Sequence, residues 1–155
     1  MKQIKNSFES IERTCLLNLR LAALDEQMHY SELFNIGTAL GLYERQTILF
    51  VQDVMNNSAP QYLKQKQCLT FRIWLIKKMV HKCLFYIGSE LCSQPLQFEN
   101  SKNFYLPHMP ISYWAVYKLH HSVGLSHAEI AIALNTTPLQ IRARLNKALE
   151  YNQKQ

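Results

Sequence analysis

The stretch GLSHAEIAIALNTTPLQIRARLNKALEYN (124–152) constrains the fold more than any other, because it encodes two helix starts only eleven residues apart. Ser126-x-x-Glu129 is a capping box: the serine hydroxyl accepts an orphan backbone N–H, and the glutamate reaches back to another. Thr137-x-x-Gln140 repeats the device, with Pro138 at the first helical position, where a missing N–H costs nothing. Gly124 suits the left-handed turn that closes a preceding helix, and Asn135-Thr136-Thr137 is the turn between the two capped helices. Two capped helices joined so tightly form a helix-turn-helix.

The second of these helices divides by spacing. Ile141, Leu145 and Ala148 repeat at four and three and face inward. Gln140, Arg144, Lys147 and Tyr151 read as an outward stripe on the opposite side, flanked by Arg142. No acid occurs between Glu129 and Glu150. Such a face suits the major groove, where Gln matches adenine and Arg matches guanine. Thr137, Gln140, Arg142, Arg144 and Lys147 are the DNA-binding candidates here. The plainer alternative is a solvated basic face on a helical hairpin.

The rest of the chain is helical in pattern. Glycine and proline together number nine in 155 residues, so breakers are scarce. Apolar spacings of three and four predict helices over about 4–24, 27–40 (closed by Gly41), 44–57 and 69–88, with NNSAPQ (56–61) breaking the third and opening a loop. Further helices are predicted over about 111–123, 127–134 and 138–150. The Ser-, Gln- and Asn-rich tract 91–105 reads as a linker. The expected fold is therefore all-α, with a four-helix domain over 1–90 and a three-helix domain over 106–155.

No run of about 18 apolar residues exists, so no membrane insertion is expected. Glu9, Glu12 and Arg20 interrupt the first two dozen residues, where a secretion signal is apolar. The expected location is the cytoplasm. Cys15, Cys68, Cys83 and Cys92 lack metal-ligand spacing and are expected to be reduced core thiols.

A net charge of +6 favours a polyanionic partner. From Asn56 to Ser89 there is no acid, while Lys64, Lys66, Arg72, Lys77, Lys78 and Lys82 all fall there, with His81 among them. On the 71–87 helix Lys77, Lys78, His81 and Lys82 share an arc with Trp74 and Phe85, opposite the apolar arc of Leu75, Met79 and Cys83. Interleaved bases and aromatics suit single-stranded nucleic acid, charges meeting phosphates and rings meeting unstacked bases. Trp74 is alternatively expected to wedge beneath the 58–69 segment.

Leu106-Pro107, the helix bearing Tyr113, Val116 and Leu119, the GLS-x-x-EIA segment and the ending IRARL-x-KAL resemble region 4 of bacterial sigma factors of the extracytoplasmic-function type. FRIWLIKKMVH (71–81) and FVQDVM (50–55) are similar to region 2 of that family. The resemblance implies a transcription initiation factor that binds core RNA polymerase, with Gln52 and Asp53 as polymerase-binding residues. It also implies that region 4 reads the −35 element of promoter DNA and region 2 the −10 element, with the 56–70 loop forming a base pocket. An anti-sigma factor is a further implied partner. Departures are Ile48 and Leu49 for an acidic pair, His81 for asparagine, Asn135 for a turn glycine and Leu139 for a small residue.

Fifteen linker residues reach at most about 50 Å, close to the ~50–60 Å between two such promoter elements. Two other functions compete: a sigma-like decoy acting by protein contact, and a stand-alone helix-turn-helix repressor. An enzyme is not expected, since phosphate-loop, zinc-protease and nucleophile-elbow motifs are all missing from the sequence. Neither a cofactor nor a metal is expected; adjacent His120 and His121 are expected to point apart.

Overall fold

A computed structural model describes residues 27–64, 69–93 and 109–154. The described residues are helical throughout, without a strand, as an all-α chain requires. Helix α1 covers 27–39. Then come α2 (Glu44–Asp53), a π turn (Val54–Ser58), α3 (Ala59–Lys64) and α4 (Phe71–Ser93). Helices α5 (Ile111–His121), α6 (His127–Ala133) and α7 (Pro138–Gln153) follow. The helix expected over 4–24, Lys66, Cys15, Cys68 and tract 94–108 lie outside the described residues.

The punctuation behaves as its chemistry dictates. Gly41 closes α1 at φ 84°, with Leu42 N–H donating to Gly37 C=O at 3.0 Å. Gly37 itself lets α1 and α2 touch: a Cβ there would sit 2.5 Å from Thr47 Cγ2. The NNSAPQ tract does not end the helix as expected. Pro60 falls in the first turn of α3, immediately after a π turn that widens the backbone ahead of it. The wider turn relieves the clash between the proline ring and the preceding carbonyls, so helix persists to Lys64. Most of the expected 56–70 loop is therefore helical.

Helix α4 is the spine. Leu75, Ile76, Met79, Val80, Cys83 and Ile87 are all buried along it, each contributing roughly 1.5–3 kcal/mol relative to exposure. Trp74 is buried under α3, its ring 5.6 Å from that of Tyr62, whose hydroxyl donates to Leu69 C=O at 2.7 Å. Burial pushes the Cys83 thiol up to about 12, which keeps it protonated and inert; it is free, as expected.

The carboxy-terminal helices pack as a tri-helical unit around Trp114, Leu119, Ile130 and Ile141. Gly124 takes φ 85° and Asn135 takes φ 52° at the two turns. Asparagine is among the few side chains that tolerate that region, so Asn135 makes the turn without a glycine. Helix α6 packs on α5 and α7 on one side and on α4 on the other. One hydrophobic cluster accordingly runs through both groups of helices.

Candidate nucleic-acid interface

Both capping boxes form. Glu129 N–H donates to Ser126 Oγ at 3.2 Å, and Ser126 N–H to Glu129 Oε2 at 3.0 Å. Gln140 N–H donates to Thr137 Oγ1 at 3.3 Å, while Gln140 Oε1 accepts from the Thr137 N–H and the Thr136 hydroxyl. The second box changes what Gln140 can do. Bidentate recognition of adenine needs the amide oxygen as an acceptor, and here that oxygen already serves the helix start.

The outward face of α7 also differs from the expected stripe. At 3.6 residues per turn, Arg144 lies only ~40° from Ala148 and ~60° from Ile141, both buried. Arg144 is half-buried, and Tyr151 is half-buried with its ring 6.1 Å from that of Tyr113. The residues opposite the core are Leu139, Ala143, Asn146 and Glu150, with Arg142 on one flank and Lys147 on the other; all six are exposed. Leu139 is 76 % exposed. Lys147 has Glu150 3.3 Å away. Thr137 is exposed at the helix start. Spacing counted from Gln140 caught one flank and missed the crest, although the leucine signal was in the sequence.

The basic residues of α4 are largely engaged. Arg72 forks between two acids: its Nε donates to Glu32 Oε2 at 3.0 Å, and its Nη1 to Glu129 Oε1 at 2.7 Å. Glu32 sits on α1 and Glu129 on α6, so one guanidinium ties three helices. The hydrogen bond with Glu32, then that with Glu129, raises the Arg72 pKa further, and the charge is permanent. Burial alone would raise the Glu129 carboxyl; the Arg72 and Ser126 hydrogen bonds outweigh it and hold it below the ordinary glutamate value. Arg72, expected as a DNA contact, is thus committed to joining α4 to the helix-turn-helix. Neither acid is legible as its partner in the sequence, because nothing in local spacing links 32, 72 and 129.

Lys82 pairs with Asp53 and lies over the Phe50 ring at 5.1 Å. Its hydrogen bond, then that of Asn57, lowers the Asp53 pKa. One expected polymerase-binding residue and one expected DNA-binding residue therefore hold each other. Lys78 lies over the Trp74 ring at 5.1 Å, and Lys77 is half-buried. Lys64, His81 and Gln52 are exposed, and Phe85 is 81 % exposed one turn beyond His81.

Tyr43, Glu44, Arg45, Ile48 and Leu49 line an open hollow of about 560 Å³ at the start of α2. Tyr43 and Leu49 are among the most exposed large apolar side chains described. His120 and His121 do not diverge fully: their rings stand 5.0 Å apart, and His127 lies 4.9 Å from His120. His120 Nδ1 bonds Leu125 C=O at 2.9 Å, which fixes its ring between α5 and α6. No group of three potential ligands able to hold a metal ion occurs among the described residues. Nor does any described helix have the length and apolarity to cross a membrane. No family model, curated protein or solved structure matches this chain.

Proposed function

We propose that this chain is a sigma-type transcription initiation factor of the extracytoplasmic-function class. In this reading it works in the cytoplasm, binds core RNA polymerase and directs it to promoter DNA without being an enzyme itself. The observation that carries the reading is the doubly capped helix-turn-helix, whose α7 turns Arg142 and Lys147 outward on a face that no other described helix covers. Capping fixes the entry angle of α7, and an entering helix needs that rigidity to hold side chains against base edges. Lys64, Lys77 and Lys78 supply the phosphate-directed charge of the other promoter contact, with His81 exposed beside them.

The two halves packed through α4 and α6 describe the free chain in this reading; promoter engagement at two separate elements draws them apart. Transcription from a genomic library with purified core polymerase tests it. Start sites that depend on the added chain are expected. Identical transcripts with and without it refute the proposal.

The hollow at Tyr43, Ile48 and Leu49 favours a second reading, a sigma-like regulator that docks on a protein such as an anti-sigma factor. Acidic replacements at Ile48 and Leu49 distinguish the two. They strengthen polymerase binding by an initiation factor and leave a decoy's polymerase binding unchanged.

A further inference from the structure

Helix α7 carries an apolar crest where a solvated or purely phosphate-binding helix would be polar. Leu139 is 76 % exposed in the first turn, and Ala143 is exposed one turn later on the same line. Arg142 stands beside them, also exposed, and Asn146 extends the line. Leu139 projects furthest from the first turn, and it gains by leaving water only where an apolar group of the docked partner meets it. In the major groove one apolar group is displayed at base level, the C5-methyl of thymine. Charge complementarity selects duplex DNA as the occupant: Arg142 and Lys147 flank the crest on either side, and the nearest acid on it, Glu150, lies at its far end.

We infer that Leu139 and Ala143 form a thymine-methyl reader, so that sequence selection by this helix rests on apolar contact at its crest with Arg142 beside it. The inference deepens the proposed promoter binding and rests on it. Gln140, whose amide oxygen closes the helix start, is a positioning residue in this arrangement and makes no bidentate adenine contact.

The test uses the full chain together with core RNA polymerase. A duplex is first selected from a random pool, and each thymine in it is then replaced singly by deoxyuridine, which removes only the methyl. At one or two positions the replacement weakens wild-type binding about fourfold, the value of roughly 0.8 kcal/mol for one methyl-sized group. In Leu139→Ala that sensitivity disappears at one position while deoxyuridine-containing duplex is bound as before; because Leu139 is exposed, the variant folds, as circular dichroism confirms. Equal binding of thymine and deoxyuridine duplexes by the wild type overturns the inference and leaves promoter binding standing. So does an unchanged thymine preference in Leu139→Ala, or a loss of polymerase binding in that variant, which assigns the crest to protein contact. Failure to enrich any duplex, with polymerase or without, overturns both the inference and the proposed function.

Discussion

Removing the Arg72 guanidinium tests the junction between the two groups of helices. Arg72→Ala deletes hydrogen bonds to Glu32 and Glu129 and leaves two carboxylates on facing helices without their shared cation. Charge-assisted hydrogen bonds are worth roughly 1.5–3 kcal/mol each when shielded, but Arg72 is 40 % exposed, and screening brings the whole set to about 2 kcal/mol. With a urea slope of roughly 1–3 kcal/mol/M, the unfolding midpoint falls by about 1 M. A double-mutant cycle isolates the cross-helix part. Glu129→Gln keeps a side chain able to complete the capping box, so its coupling with Arg72→Ala reports the ion pair alone, at about 1 kcal/mol. The pH dependence has a fixed sign. The Glu129 carboxyl lies below its ordinary 4.5 in the folded chain, so its contribution is complete above that value. It is lost as pH falls through the lower folded value, and the gap between wild type and Arg72→Ala narrows there. Coupling under about 0.3 kcal/mol at pH 7, or a gap that widens in acid, refutes the role assigned to this residue.

Gly37→Ala drives a Cβ to 2.5 Å from Thr47 Cγ2; overpacking of this kind costs about 1–3 kcal/mol, visible as a lower melting temperature. Asn135 holds φ 52°, so Asn135→Ala destabilises by about 1 kcal/mol while Asn135→Gly retains or slightly raises stability, as thermal denaturation reads. On duplex DNA, Arg142→Ala weakens specific binding by about 1–3 kcal/mol, whereas Arg144→Ala, on the half-buried flank, changes it less. A competition binding assay that ranks the two variants the other way contradicts the assignment of the α7 face.

The helix-turn-helix was almost fully legible in the sequence because its determinants are local. Capping boxes at Ser126 and Thr137, glycine at 124 and asparagine at 135 all act within a few residues of themselves. Legibility failed where partners are distant. Arg72 finds carboxylates 40 and 57 residues away, and no periodicity in α4 announces either one. Pro60 misled because a π turn, Val54–Ser58, precedes it, and no spacing in the sequence announces one. On α7 the error was geometric. Gln140 and Lys147 share a flank, but the residue facing straight away from Ile141 and Ala148 is the leucine beside the glutamine.

Seven-residue α6 lies between α4 and the remaining helices, and a helix that short has no stability of its own, since isolated helices need about 12–15 residues. A protease cut between 93 and 109 leaves α6 seated on α5 and α7, which hold it, and parts it from α4 only by baring the apolar faces those two helices turn to each other.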